Sequence, residues 1–214
     1  MDQTLFHLIN EQWTSPALDL FMAAISNIDI WRPLIAIVLL CFVIFAGFKG
    51  RAFVVCLLLA LVISDTIFVR TLKSTIQRKR PKQVQAVRMV QLEHTSPAFL
   101  TLFRKTTIRV SDQTDRTKSG PSFPSGHVTD NVIIATICVL FYRRWGWLYF
   151  IVAAAIAYSR IYLGAHWPSD VIATAFLAAG LAFLMVALFE FIWRRFAPVW
   201  VPSLFAGHPT LLER

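Results

Sequence analysis

Long apolar stretches, separated by short and mostly basic connections, occupy most of this chain. A helix needs about 20 predominantly apolar residues to cross a hydrocarbon core about 30 Å thick, and flanking aromatic and basic side chains extend a shorter one to the interface. Five stretches meet this requirement. We predict helical spans over residues 32–48, 52–72, 127–142, 147–163 and 169–193.

The third predicted span begins with a polar turn. Thr129, Asp130 and Asn131 all fall within its first turns. Polar side chains are costly in hydrocarbon, so we expect these three to face protein or a water-filled cavity and not lipid.

A shorter helical pattern precedes the first span. Leu5, Ile9 and Trp13 recur at the spacing of one helix face, with polar residues between them. We therefore expect the segment up to Trp13 to form a helix along the membrane interface. A sixth crossing through residues 18–30 is the alternative interpretation, and Asp19 together with two further polar side chains in so short a run argues against it.

The composition agrees with a membrane protein. The 214 residues are 57% hydrophobic and only 15% charged, and the mean hydropathy is +0.60. These values lie far from those of a soluble domain. Neither an internal repeat nor a Gly/Ser linker divides the chain, so we expect one domain over residues 1–214. Its predicted fold class is all-α, a polytopic membrane helix bundle.

The sequence gives no reason to expect a metal or another cofactor. The three cysteines, Cys41, Cys56 and Cys138, lie in apolar runs. A thiol in such a run usually serves as a small buried hydrophobe. No CxxC pair and no Cys/His spacing typical of a metal centre is present.

The net charge of +9 is distributed unevenly along the chain. Three basic pairs follow predicted spans on one side of the bundle, Lys49 with Arg51, Arg143 with Arg144, and Arg194 with Arg195. Under the positive-inside rule this side is cytoplasmic, and the opposite end faces the periplasmic side of a plasma or inner membrane. Nucleic acid is not expected as a partner, because the charge belongs to membrane spans and no nucleic-acid-binding motif accompanies it.

The connection over residues 82–123 is long for a link between spans and is rich in Lys and Arg. A basic surface beside a bilayer attracts anionic headgroups, so a membrane lipid is the expected partner. An apolar run over residues 97–103 favours a partly ordered extracytoplasmic cap that contacts the substrate headgroup. A disordered loop is the alternative.

Lys73 and Arg80 form the first candidate cluster. They are seven residues apart, nearly two helical turns, so a helix continuing from the second span would place both on one face. Pro81 would then end that helix. An ammonium and a bidentate guanidinium together bind a phosphate. The alternative is a basic collar that anchors the end of the helix at the interface.

The second candidate cluster is Pro124-Ser125-Gly126-His127, at the start of the third span. Backbone N–H groups at a helix N-terminus bind anions, and glycine permits close backbone approach. The Ser125 hydroxyl adds a donor, and His127 can protonate a departing oxygen. An N-cap with a polar histidine at the interface is the alternative.

The third candidate cluster combines Ser159-Arg160 with His166 and Asp170. Gly164 is expected to end the fourth span, and Asp170 to lie in the first turn of the next helix. This arrangement allows the Asp170 carboxylate to hold one ring nitrogen of His166 and leaves the other free to attack phosphorus. Arg160 supplies a third cation for the phosphate oxygens. A purely structural pair that caps the helix is the alternative.

Together the three clusters resemble the signature of the type-2 phosphatidic acid phosphatase superfamily. That signature has a lysine separated by six residues from Arg-Pro, a Pro-Ser-Gly-His, and a Ser-Arg with five residues before His and three more before Asp. This chain carries all three parts in order and at those spacings. The resemblance extends over roughly residues 5–193.

The resemblance implies a helical membrane enzyme that removes phosphate from a lipid through a phosphohistidine intermediate, without a metal. It implies His166 as the nucleophile, Asp170 as its orienter and His127 as the acid that protonates the leaving alkoxide. The implied phosphate ligands are Lys73, Arg80, Ser125, Gly126 and Arg160. Asp130 and Asn131 stand where small apolar residues are expected in this family, and they either touch a polar headgroup or form an acidic first turn favoured by the helix dipole.

Several substrates are compatible with these motifs. They are phosphatidic acid, phosphatidylglycerol phosphate, a polyprenyl diphosphate and a lipid A-like glycolipid, and fold and motif do not choose among them. A lipid phosphotransferase would use the same histidine intermediate. A non-catalytic lipid-phosphate-binding protein is a further alternative, but such a protein would be expected to lose a catalytic residue.

Overall fold

The computed structural model describes residues 1–93, 95–103, 105–117 and 119–212. Three members of the basic stretch over residues 82–123, His94, Arg104 and Lys118, lie outside the described residues. The apolar runs fold into helices, as their length and composition predict.

The elements follow one another along the chain in this order. Six helices come first: α1 (Asp2–His7), α2 (Pro16–Ile25), α3 (Ile28–Phe45), α4 (Gly47–Ile63), α5 (Arg70–Ile76) and α6 (Pro81–Val84). Two π-helical segments extend α1 and α4, over Leu8–Gln12 and Ser64–Val69. Strands β1 (Arg88–Leu92) and β2 (Thr106–Val110) flank a 3₁₀ segment, Ala98–Phe103. The described residues then form α7 (Gln113–Thr117), α8 (Gly126–Gly146), α9 (Leu148–Tyr162), α10 (Pro168–Trp200) and α11 (Pro202–Gly207).

Each of the five predicted spans coincides with a helix or a helical run. By length and composition, α3, the run that begins with α4, and α10 are long and apolar enough to cross a membrane. Helix α9 is apolar but shorter. The prediction of a membrane helix bundle is confirmed, and the number of crossings stays a prediction. Residues 18–30 do not form one helix, because Ser26 and Asn27 separate α2 from α3.

Helix α8 lies at the centre of the bundle, in contact with α4, α9 and α10. Its side chains Ile133 and Ile137 are fully buried, as are Ala178 and Ala182 of α10. Small residues at such a contact let two helices approach closely. Helix α3 differs, because Ile30 is its one buried residue. Helix α3 therefore leaves most of its apolar side chains exposed, as is typical of a helix long and apolar enough to cross a membrane.

A short antiparallel hairpin, which the all-α prediction did not include, occupies part of the basic stretch. Strand β1 pairs with β2, with Val90 opposite Ile108. The 3₁₀ segment and α7 add further secondary structure to the described residues of this stretch. Whether the stretch acts as a cap stays a prediction.

A buried set of polar side chains, which we call the Asp19 network, fixes β1 to the helices. The Asp19 carboxylate accepts two hydrogen bonds from Arg88 Nη2, at 2.8 and 2.7 Å, and one from the Tyr162 hydroxyl at 2.6 Å. Asn10 donates to the backbone carbonyls of Arg88 and Tyr162, at 3.0 and 2.7 Å. A buried charge is tolerated only when it is paired and hydrogen-bonded, and these contacts meet that condition for Asp19 in α2.

The N-terminal segment presents two apolar side chains to the protein interior. Phe6 and Ile9 are buried, whereas Leu5 and Trp13 are exposed. The Phe6 ring centroid lies 5.2 Å from that of Trp167. The location of this segment at the interface stays a prediction.

Candidate active site

Arg80 reaches the site from a loop and not from the helix face that it was predicted to share with Lys73. Helix α5 ends at Ile76, because Gln77 adopts a left-handed backbone conformation with φ of 47°. Arg80 itself is extended and precedes Pro81, the first residue of α6. The predicted continuous helix is therefore wrong, although the restriction on a residue before proline does hold.

Backbone carbonyls hold the Arg80 guanidinium beside the ring of His166. Its Nε donates to the Gly120 carbonyl at 2.9 Å, and its Nη1 donates to the Ala165 carbonyl at 3.0 Å. Nη1 also lies 3.4 Å from His166 Nε2. A guanidinium has no acceptor, so Nε2 presents its lone pair to it and the neutral ring carries its proton on Nδ1.

His166 lies in the turn between α9 and α10. Gly164, with φ of 71°, ends the helix before it, and Pro168 starts the next, both as predicted. The His166 side chain is almost fully buried. This burial, and then the positive charges of Arg80 and Arg160, hold the pKa of His166 well below its ordinary value. The ring is therefore neutral at neutral pH, which is the state that a nucleophile requires.

Asp170 is fully buried at the start of α10. Its Oδ1 accepts from Arg78 Nη1 at 2.7 Å, and its Oδ2 accepts from the Ser122 hydroxyl at 2.5 Å and from the Trp167 N–H at 3.2 Å. The direct contact that we predicted between Asp170 and His166 does not occur among the hydrogen bonds of the described residues. The bond to Trp167 turns the carboxylate toward the start of its own helix, and Ser122 lies between the two groups.

Ser122 connects Asp170 to the ring of His166. Its Oγ lies 3.5 Å from His166 Nδ1, at the long end of hydrogen-bond distances, and donates to the carboxylate. When the ring carries its proton on Nδ1, the His166 N–H is directed at Ser122 Oγ, and the Ser122 O–H is directed at Asp170. Ser122 is held in place because its N–H donates to the Arg78 carbonyl at 2.7 Å. We call this set of contacts around the carboxylate the Asp170 network.

Arg78 extends the Asp170 network to the N-terminal segment. Its Nη2 pairs with Asp2 at 2.7 Å, and its Nη1 also donates to the Ser169 hydroxyl at 2.8 Å. Burial alone would raise the pKa of Asp2, but hydrogen bonds from Ser169 and Arg78 outweigh that effect and lower it. Arg78 therefore bridges the carboxylates of Asp2 and Asp170.

Helix α8 begins within the Pro-Ser-Gly-His cluster. Ser125 is its N-cap, and the Ser125 N–H bonds to Thr174 Oγ1 at 3.2 Å. The Ser125 hydroxyl is buried and has no hydrogen-bond partner among the described residues. A Cβ added at Gly126 would meet nothing within 4 Å, so a ligand has room beside this helix N-terminus. His127 follows in the first turn.

Arg160 lies at the end of α9, where its Nη1 is hydrogen-bonded to the Ser26 hydroxyl. Its Nε is buried and lacks a partner within the part of the chain that the structure describes. The charges of Arg160, Arg80 and Lys73 all act on both motif histidines. The structure thus brings the predicted cations and histidines together.

Two buried donors that have no partner among the described residues suit an anionic ligand. Nearly all buried polar groups in proteins are hydrogen-bonded, so such exceptions need an explanation. Ser125 Oγ and Arg160 Nε lie among cations and beside a helix N-terminus, which favour a phosphate. The arrangement can therefore hold a phosphate in front of a neutral imidazole.

Sequence reasoning missed three residues of the site, Ser122, Arg78 and Asp2. Ser122 lies just outside the Pro-Ser-Gly-His cluster, and Arg78 lies between Lys73 and Arg80 without belonging to their motif. Their partners are tertiary neighbours far away in the sequence, so no spacing rule connects them.

Comparison with known proteins places this chain in one family. The family model described as PAP2 superfamily matches residues 53–194. An Undecaprenyl-diphosphatase of Sulfolobus acidocaldarius is 40% identical over 68 residues, which are 31% of this chain and 33% of that protein. A Lipid A 4'-phosphatase of Bacteroides thetaiotaomicron is 26% identical over 168 residues, 76% of this chain and 66% of that protein. The matched segments thus span a third of the first relative and about two thirds of the second.

A solved structure shares the fold. The crystal structure of Aquifex aeolicus LpxE matches with a TM-score of 0.61 at 24% identity, and the match covers 87% of this chain and 94% of that one. At this level of identity the likeness concerns the arrangement of helices alone.

Proposed function

This chain belongs to the PAP2 superfamily, and we propose on that premise that it is a metal-independent membrane phosphatase acting on a lipid phosphate or diphosphate. One observation carries the proposal. The neutral ring of His166 faces Arg80 through Nε2, next to the donors of Ser125 and Arg160 that have no partner in the described part of the chain. A nucleophile and the ligands of a phosphate thus share one site.

In the first step His166 Nε2 attacks phosphorus. A P–N bond forms and the bond from phosphorus to the lipid oxygen breaks, while His127 gives its proton to that oxygen. The products are a phosphohistidine and the leaving group, which is the lipid alcohol from a monophosphate and the lipid monophosphate from a diphosphate. Arg80, Arg160 and Lys73 balance the charge on the phosphate oxygens.

The ring of His166 becomes cationic when the P–N bond forms. Its Nδ1 proton is directed at Ser122, and Ser122 donates to the Asp170 carboxylate. The carboxylate thereby stabilises the cationic ring through one intervening hydroxyl. In the second step water attacks phosphorus, His127 takes a proton from it, and the P–N bond breaks to release inorganic phosphate.

The substrate class is a membrane lipid that carries a terminal phosphate. Phosphatidic acid, phosphatidylglycerol phosphate, a polyprenyl diphosphate and a lipid A-like glycolipid all fit this description. Among the relatives, one is named for undecaprenyl diphosphate and another for lipid A. The proposal therefore covers the class and leaves the headgroup to experiment.

The stretch over residues 82–123 is proposed to cap the site on the extracytoplasmic side of a plasma or inner membrane. Three residues of β1, Val90, Gln91 and Leu92, line a cavity together with His127 and Arg160. This contact supports a cap that meets the substrate headgroup. The basic pairs at the opposite ends of the predicted spans support the orientation.

The test is release of inorganic phosphate by detergent-purified protein from a panel of the four lipid types, with EDTA present throughout. We expect release by wild type and none above background from His166→Ala. His7→Ala is the matched control, because His7 is exposed and pairs with Glu11 on the protein surface. Equal release by His166→Ala would remove His166 as the nucleophile, and no release by folded wild type would refute the proposed function.

A further inference from the structure

The N-terminal segment lies against the start of α10, next to the Asp170 network. Its side chains Phe6 and Ile9 are buried, and Asn10 donates to backbone carbonyls of β1 and α9. These contacts hold the segment on the bundle without help from Asp2. Asp2 is therefore not required as an anchor, and its polar contacts serve another purpose.

The Asp2 carboxylate lies between α10 and Arg78. Its Oδ1 accepts from the Ser169 N–H at 2.9 Å, and its Oδ2 accepts from the Ser169 hydroxyl at 2.6 Å and from Arg78 Nη2 at 2.7 Å. Although burial raises the pKa of Asp2, these hydrogen bonds lower it below its ordinary value. Asp2 thus presents a fixed negative charge to one nitrogen of Arg78.

The guanidinium of Arg78 is divided between two carboxylates. Nη2 donates to Asp2 and Nη1 donates to Asp170 Oδ1, each at 2.7 Å. No hydrogen bond from Nη2 to Asp170 occurs among the described residues. An arginine and a carboxylate frequently pair through two parallel hydrogen bonds. The contact between Arg78 and Asp170 departs from that geometry because Asp2 binds the second nitrogen.

The other oxygen of Asp170 leads to the ring of His166. Asp170 Oδ2 accepts from the Ser122 hydroxyl at 2.5 Å and from the Trp167 N–H at 3.2 Å. These two bonds use the two lone pairs of that oxygen. A second nitrogen of Arg78 at Oδ2 would therefore compete with the Ser122 hydroxyl, which lies 3.5 Å from His166 Nδ1.

We propose that Asp2 is a positioning residue, which holds Arg78 Nη2 away from Asp170 and so keeps Asp170 Oδ2 for the Ser122 hydroxyl. The inference rests on the proposed function, because the step that Asp2 assists is the attack by His166. Without Asp2, Arg78 turns both nitrogens toward Asp170 and Ser122 loses its acceptor. The cationic ring is then stabilised less well. Asp2 itself touches no reacting atom.

Three substitutions of Asp2 test the proposal. Asp2→Asn keeps the shape of the side chain and removes its charge, Asp2→Ala removes the carboxylate, and Asp2→Glu retains it. Glu11→Gln is the matched control, because Glu11 lies in the same N-terminal segment and pairs with His7 on the protein surface. Thermal unfolding in detergent shows whether each variant folds. The substrate is whichever lipid of the panel wild type hydrolyses fastest.

The expected effect is on kcat and not on KM. We expect kcat of Asp2→Asn and Asp2→Ala to fall about tenfold, because the hydroxyl link to His166 is weakened and not removed. KM should stay within about twofold, because no phosphate ligand has changed. Asp2→Glu should keep kcat within about threefold of wild type, because it still offers a charged partner to Arg78. Glu11→Gln should leave both parameters unchanged.

The sharpest measurement repeats Asp2→Asn and Asp2→Ala in a Ser122→Ala background. Because Asp2 acts through the Ser122 hydroxyl, kcat should there fall by less than about twofold further. A fall equal to that in the wild-type background would mean that Asp2 supports only the fold, and would overturn the proposal.

Two other results would also overturn it while the proposed function stands. One is an unchanged kcat in folded Asp2→Asn and Asp2→Ala. The other is a failure of both variants to fold, which would make Asp2 an anchor after all. Absence of any His166-dependent phosphate release by wild type would instead refute the proposed phosphatase itself.

Discussion

The Asp19 and Asp170 networks use almost the same chemistry for different purposes. In each, a carboxylate with almost no exposed surface accepts hydrogen bonds from an arginine and a hydroxyl. Arg88 and Tyr162 serve Asp19, and Arg78 and Ser122 serve Asp170. Burial and pairing alone thus do not tell a structural carboxylate from a functional one.

The difference lies in what the partners touch next. Arg88 belongs to β1 and Tyr162 to α9. The Arg88 guanidinium lies over the Tyr162 ring, 5.8 Å from its centroid. The members of the Asp19 network therefore contact one another and join elements of the fold. Ser122 continues to the ring of His166. We propose a functional role for Asp170 and not for Asp19, because the hydrogen bonds of Asp170 continue to a group that can react.

The largest expected effect comes from removing the charge of Asp170. In Asp170→Asn the imidazolium formed in the first step loses its stabilising carboxylate, and we expect kcat to fall about 10⁴-fold, as for an orienting acid in a catalytic triad. Asp19→Asn is the matched control and should keep kcat within about threefold for the folded fraction. Phosphate release at saturating substrate measures both. Equal losses of kcat in Asp170→Asn and Asp19→Asn would contradict the different roles that we assign to the two networks.

The loss in the free energy of unfolding should be larger for Asp19→Asn than for Asp170→Asn, the reverse of the order expected for kcat. Asp19→Asn leaves Arg88 buried without its counter-charge, so we expect a loss of about 3 kcal/mol in the free energy of unfolding. Asp170→Asn should cost less, because Arg78 is 38% exposed and keeps Asp2 as a partner. The melting temperatures of the two variants in detergent decide the order, and a lower value for Asp170→Asn would contradict it.

A smaller effect is expected when the link to the ring is cut. Ser122→Ala removes one buried hydrogen bond, worth about 2 kcal/mol in the transition state, so kcat should fall about 30-fold with little change in KM. Ser169→Ala is the control, because Ser169 bonds Arg78 and Asp2 but makes no hydrogen bond to His166 among the described contacts. Comparable losses in both variants would show that Ser122 acts only through the fold.

The smallest effect concerns pH. Because the pKa of His166 is held below its ordinary value of about 6.5, the ring stays neutral as the pH falls through that value. Activity that depends on the neutral ring should therefore decline only below about pH 6.5. In Arg80→Gln one of the cations that depress this pKa is gone, so the acid limb of kcat/KM should move to higher pH. Ionisation of the substrate affects wild type and Arg80→Gln equally, so it cannot cause a difference between them. Superimposable pH profiles of kcat/KM would contradict the assignment of the acid limb to His166.

The helices could be predicted from the sequence because each is one long apolar run. The hairpin could not, because β1 and β2 have only five residues each and gain their stability from contacts such as those of Arg88 with Asp19. The end of α5 was also unpredictable. Its left-handed residue is Gln77, where neither glycine nor proline gives a signal.

Spacing and resemblance in the three motif clusters allowed a nucleophile and phosphate ligands to be predicted, and their roles stay predictions. The position of Asp170 relative to His166 could not be predicted. A carboxylate in the first turn of a helix can also accept a hydrogen bond from the backbone at the start of that helix, here from the Trp167 N–H. The intervening hydroxyl of Ser122 follows from tertiary packing alone. Such a residue has no local pattern to reveal it.

Gly164 has a consequence for how the site exchanges its contents with the surroundings. A Cβ at this position would lie 2.1 Å from Val87 Cγ1 and 3.2 Å from the Arg88 carbonyl, so the turn that carries His166 touches the strand above it. Arg88 of that strand is also bound to Asp19. The strand therefore cannot move away from the bundle without displacing the turn that carries His166. We therefore expect the lipid substrate to reach the site from the membrane by passing between the helices, and the lipid product to return to the membrane by the same route.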